Sequence, residues 1–232
     1  MPDRPVLYLL PGLLCDRVTW AHQEAGLVDL AEIRIPSFYG FDTLDAMARA
    51  VLAEASPRFA LAGHSMGARV ALQIMTLEPG RVTHLALLDT GIHPVRPGEP
   101  EKRQVLVDLA RTEGMQALAA AWLPPMVHPD AARDPALMRT LTDMVCRATP
   151  AIFAGQINAL LTRPDFEAHM PDIRCPTLVG VGREDAWSPV SQHEPIAAAI
   201  PGAQLVIFEN SGHMAPMEAP EAVTRALRTW LT

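Results

Sequence analysis

The sequence predicts an α/β protein: a doubly wound, mostly parallel sheet of about six strands with an inserted helical cap. Three observations predict it. Short apolar runs alternate with helical patterns through the first ninety residues, and such alternation builds a parallel sheet with helices on both faces. Between residues 91 and 172 the alternation stops, leaving helical segments punctuated by prolines, and it then resumes. Runs such as PVLYLL are continuously apolar, as strands buried on both faces are. The chain therefore divides into a first core part at 1–90, a cap or lid at 91–172 and a second core part at 173–232.

Each element has a local reason. Residues 5–10 form a strand closed by Pro11-Gly12. Residues 16–27 read as a helix, and residues 32–35 as a second strand ended by Pro36. Asp42 is the expected N-cap of a helix over 43–55, which Pro57 stops. FALAG, residues 59–63, is the third strand, followed by a helix over 69–77 and a fourth strand over 82–89. Helices are expected over 101–113, 115–122, 136–147 and 151–161 in the cap. A fifth strand at 176–182, a helix at 191–199, a sixth strand at 204–208 and a last helix at 220–231 complete the core.

Composition bounds the function. The chain has 232 residues, 49% of them hydrophobic, and a formal charge of −7 from 26 acidic and 19 basic side chains. A chain of this length buries roughly 70–75% of its unfolded surface and needs no metal or disulfide staple. The acidic balance argues against a nucleic-acid partner, which would require a basic face. Cys15, Cys146 and Cys175 are odd in number and lack a CxxC pair, which fits a reducing compartment and no zinc site. The longest apolar run, residues 6–15, is broken by Pro11 and Gly12 and is too short to span a membrane. No signal-peptide pattern follows it. A cytoplasmic protein, monomer or homodimer, with no membrane partner, no cofactor and no metal is expected.

The chemistry is carried by Gly63-His64-Ser65-Met66-Gly67, a G-x-S-x-G motif between a strand and a helix. A turn that tight leaves no room for side chains two residues either side of the serine, hence the glycines, and it exposes the hydroxyl at the carboxyl edge of the sheet. A serine hydroxyl needs a base oriented by an acid. His213, in NSGHM directly after the last strand, is the expected base. His64 is expected to turn its ring away, and the remaining histidines read as surface, cap or packing residues. For the acid, Asp185 in GRED is favoured over Asp89, which ends the fourth strand; Asp89 is left as a structural residue or backup, and Glu184 is weaker. Oxyanion donors are expected from the N–H groups of Met66 and of Leu13 in the loop Pro11-Gly12-Leu13-Leu14.

Leu14, Trp122, Leu123, Met126, Phe153, Leu160, Trp187 and Met214 are candidates for an apolar acyl pocket, with simple packing as the competing reading. Arg69 is expected to pair with a neighbour. Arg147 and Arg183 are candidates for a substrate carboxylate but read more readily as solvated surface charges.

GHSMG, GREDAWSP and NSGHMAPMEAPE together resemble the α/β-hydrolase superfamily, in order and spacing, over essentially the whole chain. The resemblance implies Ser65, Asp185 and His213 as triad and Leu13 and Met66 at the oxyanion hole. The cap resembles the small helical lid of carboxylesterases, enol-lactonases and the menaquinone-pathway cyclohexadiene synthase. Pro11-Gly12 stands where that family usually has His-Gly. The family's N-terminal hairpin is expected to be missing, which leaves six parallel strands in the spatial order 2-1-3-4-5-6. The expected activity is cleavage of small to medium, mostly apolar esters or lactones through an acyl-enzyme. A lyase using the same triad for proton abstraction, or a slow-turnover ligand sensor, is the alternative.

Overall fold

A computed structural model describes residues 4–232. Its strands are β1 (Val6–Leu10), β2 (Glu32–Arg34), β3 (Phe59–His64), β4 (Val82–Leu88), β5 (Thr177–Gly182) and β6 (Gln204–Phe208). All neighbouring pairs are parallel, in the order β2-β1-β3-β4-β5-β6, as the sequence leads one to expect. Every residue of β3 and β5 is buried, which is why these strands read as unbroken apolar runs. Strand order reverses between β1 and β3. In open parallel sheets a crevice forms at that point, outside the carboxyl ends of the strands.

The helices are α1 (Ala21–Leu27), α2 (Leu44–Glu54) and α3 (Met66–Leu77), then α4 (Glu99–Glu113), α5 (Met115–Trp122), α6 (Pro135–Cys146) and α7 (Pro150–Leu161) between β4 and β5. α8 (Val190–Ala199), α9 (Ala215–Glu218) and α10 (Pro220–Leu231) follow. On one face of the sheet, Trp20, Leu27, Val223, Leu227 and Trp230 pack on Leu7, Leu9, Ala60, Ala62 and Ala86. On the other, Leu10, Leu61 and Leu87 meet Met47, Val70 and Ile74 from α2 and α3. The same apolar cluster runs on through Leu118, Trp122, Leu141, Phe153 and Ile157, so the inserted helices share the core of the sheet.

Some boundaries differ from expectation. Residues 16–27 are not one helix: the Asp16 carboxylate accepts the Val18 N–H at 2.9 Å and caps a short 3₁₀ turn, Arg17–Trp20, before α1 begins. Thr43, not Asp42, caps α2, its hydroxyl accepting the Ala46 N–H at 3.1 Å. α3 begins at Met66 because Ser65 itself is the last non-helical residue. α6 and α7 start on Pro135 and Pro150, capped by Asp134 and Thr149. A proline suits that first position because its missing N–H would have no helical partner. Among the described residues no helix is long and apolar enough to cross a membrane.

Candidate active site

Ser65 sits between β3 and α3 at φ 54°, ψ −115°, a conformation costing on the order of 1–3 kcal/mol for a residue with a side chain. Its surroundings hold it there. The Ser65 N–H donates to the Leu88 carbonyl at 2.9 Å, and the Thr90 hydroxyl donates to the Ser65 carbonyl at 3.0 Å. The flanking glycines are obligatory. A Cβ on Gly63 would lie 2.5 Å from the Ala68 backbone, and one on Gly67 would lie 2.1 Å from the Leu10 carbonyl oxygen. Among the described residues the other non-glycine positions with positive φ, Leu14, Asp89 and Asn210, lie just beyond β1, β4 and β6, so backbone strain gathers at this one edge.

Three side chains from separate loops meet here. His213 Nε2 lies 2.8 Å from Ser65 Oγ, and His213 Nδ1 lies 2.8 Å from Asp185 Oδ2. The Asp185 Oδ1 accepts the N–H groups of Trp187 and Ser188, both at 2.8 Å. Asp185 and His213 are buried. Burial raises the Asp185 carboxyl, but the His213 charge, the His213 hydrogen bond and the two backbone donors outweigh it, so the group is held below the usual carboxylate range. An ionised Asp185 makes Nδ1 the protonated ring nitrogen, leaving Nε2 free to accept the serine proton.

The loop carrying His213 is tied to the inserted segment. The His213 N–H donates to the Met126 carbonyl at 2.7 Å. Glu218 bridges the two segments: one oxygen accepts the Gly212 and Met214 N–H groups at 3.1 and 3.0 Å, the other the His128 N–H at 2.6 Å. The contact is too close for a side chain at Gly212, whose Cβ would come 2.7 Å from the Val127 backbone. Burial raises the Glu218 carboxyl, against the pull of those three donors.

The loop after β1 approaches the serine from the other side. A Cβ on Gly12 would lie 3.2 Å from Ser65 Cβ. The Leu13 N–H has no partner among the described residues, and Met66, at the start of α3, has the free N–H of a first helical turn. Gln156 of α7 steadies this loop, its side-chain oxygen accepting the Leu14 N–H at 2.8 Å and its nitrogen donating to the Phe38 carbonyl at 3.3 Å. The sequence pattern alone does not mark Gln156 or Glu218: each is a polar residue in a largely apolar stretch.

Asp89 does not reach His213. Its Oδ1 accepts the Gly182 N–H at 2.8 Å, and its Oδ2, without a hydrogen bond, lies 3.9 Å from His64 Nε2. Burial, then the charge of Asp185, pushes its carboxyl well above the usual range. Glu184 accepts the Ser211 N–H at 3.0 Å. His64 makes no hydrogen bond to Ser65 but is not idle: Nε2 donates to the His213 carbonyl at 2.7 Å. Burial, followed by the nearby His213, pushes its pKa down to about 3. His193, lowered to about 4 mainly by burial, accepts the Thr90 N–H at 2.9 Å.

Above Ser65 opens a cavity of about 400 Å³. Trp122, Met126, Phe153, Leu160, Trp187 and Met214 line it, with Leu13, Met66 and His213. Leu14 and Leu123 do not. The left-handed turn at Leu14 (φ 57°) directs its side chain into the core, where Leu123 is also packed. Arg69 lines the cavity and, contrary to expectation, makes no ion pair among the described residues; its one side-chain hydrogen bond there runs to the His93 carbonyl at 3.2 Å. Arg96, Lys102, Arg103 and Arg163 line the same end. Arg147 pairs with Asp16 and Arg183 with Glu209, both away from the cavity.

The comparisons with known proteins agree with this architecture. A family model described as "Alpha/beta hydrolase family" matches residues 7–226. A RutD protein of Klebsiella pneumoniae, named for a proposed carbamate hydrolase activity, is 29% identical over 253 aligned positions covering 100% of this chain and 92% of that protein. A thermophilic esterase from Thermogutta terrifontis superposes with a TM-score of 0.89 at 31% identity, covering 99% of this chain and 90% of that one. The enol-lactonase of Burkholderia xenovorans gives 0.90 at 26% identity, with 99% and 92% coverage.

Proposed function

This chain belongs to the α/β-hydrolase family, and on that premise we propose that it is a serine hydrolase of carboxylic esters or lactones, with Ser65, His213 and Asp185 as triad. One observation carries the reading: the unbroken hydrogen-bonded series from Ser65 Oγ through His213 to Asp185, both links 2.8 Å. The Ser65 hydroxyl attacks the acyl carbon as His213 Nε2 takes its proton. The Leu13 and Met66 N–H groups receive the developing oxyanion, and His213 then protonates the leaving alcohol. Asp185 holds the imidazole in place and stabilises its cationic form. Water repeats the sequence on the acyl-enzyme. Residues 91–172 act as the cap that gives the cavity its apolar wall. The names of the relatives, esterase, enol-lactonase and carbamate hydrolase, describe cleavage at an acyl carbon and support the same class.

The basic residues at one end of the cavity favour one second reading, an elimination in which the same base removes a proton and an anionic group departs. Purified protein assayed on p-nitrophenyl acetate, butyrate and octanoate separates the two. We expect turnover with an acyl-enzyme burst, and a loss of 10⁴–10⁶ or so in kcat for Ser65→Ala. Ester turnover that survives Ser65→Ala overturns the assignment.

A further inference from the structure

The cavity has two unlike ends. Trp122, Met126, Phe153, Ile157 and Met214 make one part of the lining apolar. At the other end, Arg69, Arg96, Lys102, Arg103 and Arg163 gather from α3, from the loop before α4, from α4 and from the loop after α7, with Glu99 as the carboxylate among them. A surface run of charges would be solvated and paired. Here the charges are unevenly matched: Arg103 and Arg163 are paired with Glu99, Arg96 and Lys102 are exposed, and among the described residues Arg69 alone of the five is buried without an ion pair.

Glu99 is already committed. It accepts from Arg163 Nη1 and Nη2 at 2.8 and 2.7 Å and from Arg103 Nε at 2.8 Å. Those bonds outweigh burial and hold its carboxyl down to about 2. Arg163 is saturated as well, donating further to the His93, Pro94 and Leu160 carbonyls. It is a frame that fixes the 93–99 loop. Arg69 lies beside this frame with nothing comparable. It is 7% exposed, and of its five N–H donors one bonds, to His93. Burial, followed by the charge of Arg163, lowers its pKa to about 9, which still leaves it cationic at neutral pH. A desolvated cation without an acid is unfavourable, and its free donors belong to a side chain one helical turn from Ser65.

We propose that this end is a carboxylate-binding subsite anchored by Arg69, so that the substrate is an ester or lactone bearing a free carboxylate. The inference rests on the hydrolase reading of Ser65. Arg96 and Lys102, exposed at the mouth and without ion pairs among the described residues, attract the anion. Arg69 then receives it in the planar, two-pronged geometry that guanidinium and carboxylate share. The apolar end takes the uncharged remainder.

The test compares ethyl hydrogen glutarate with ethyl pentanoate, which share a five-carbon acyl chain and differ in a terminal carboxylate or methyl group. Ester cleavage is followed chromatographically for the wild type, Arg69→Met and Arg69→Lys. The wild type should favour the half-ester. In Arg69→Met the ratio of the two kcat/KM values should fall on the order of 10- to 100-fold, the size of a lost charged hydrogen bond, and Arg69→Lys should restore part of it. An unchanged ratio in Arg69→Met, or a wild-type preference for the neutral ester, overturns the subsite. Should Arg69→Met fail to fold, the wild-type preference and Arg69→Lys still decide. If neither ester is cleaved, the hydrolase reading fails on its own. The subsite is then judged by whether glutarate raises the melting temperature of the wild type more than that of Arg69→Lys; no such difference overturns it.

Discussion

Asp185→Asn is the substitution that best tests whether the hydrogen-bond series works as described. Asp185 uses one oxygen for two backbone N–H groups and the other for His213 Nδ1–H. An asparagine must keep its carbonyl oxygen on the backbone pair, because an NH₂ group there would face two donors. Its NH₂ group then meets His213 Nδ1, which has to become the acceptor. The ring proton moves to Nε2, which lies 2.8 Å from Ser65 Oγ and can no longer take the serine proton. Nothing is removed sterically, so substrate binding should be nearly untouched. The cost is the wrong tautomer: about 10⁴ in kcat, equivalent to about 5 kcal/mol of barrier. The assay is kcat and KM on p-nitrophenyl butyrate, with thermal melting to establish that the variant folds. Asp89→Asn is the matched control. Its carboxyl is pushed toward the neutral form, which an amide mimics, and an amide oxygen can still accept the Gly182 N–H. That variant should lose less than about tenfold. A loss below a hundredfold in Asp185→Asn, or a larger loss in Asp89→Asn, would refute the assignment of the acid.

Two further expectations follow from buried groups around His213. Glu218→Gln leaves one oxygen to serve three backbone donors on two segments, so either His128 or the Gly212 and Met214 pair loses its acceptor. Melting should show a loss of about 1–3 kcal/mol, with kcat falling more than KM rises; an unchanged kcat would show that the strap does not position His213. His64 titrates near its ordinary value when unfolded but at about 3 when folded, so between those values the unfolded chain binds the extra proton. Stability should therefore fall as pH drops below about 6.5, by up to roughly 1.4 kcal/mol per pH unit from this group, with His193 adding to the same limb. Denaturant titrations across that range should show His64→Gln with a shallower acid limb, and an identical limb would refute the linkage.

What the sequence reveals of this protein is what local physics dictates. β3 and β5 are legible because both faces are buried and no polar residue interrupts them. Ser65 is legible because its turn excludes a Cβ at Gly63 and Gly67, and that exclusion is written within five residues. Asp185 and His213 follow from their places at strand ends. The errors are equally physical. Leu14 looks like a cavity residue in a loop, and only its positive φ, with Gln156 taking its N–H from α7, turns the side chain inward. Thr43 outcompetes Asp42 as a cap because its hydroxyl, one residue later, reaches the Ala46 N–H.

The basic end of the cavity is the extreme case. Arg96, Lys102 and Arg103 are interleaved with prolines and Glu99 and Glu101, and by spacing alone they describe a solvated helix start. Arg69 lies on a helix whose buried residues are otherwise apolar or glycine, where a single arginine usually finds an acid. Here Glu99, an acid of the same cluster, is consumed by Arg103 on its own helix and by Arg163 from the loop after α7. Whether Arg69 is paired is therefore a property of how α4 and α7 cross the edge of the sheet, not of any window along the chain. Charge balance at a site is decided by the third dimension even when its strained serine turn is decided by the first.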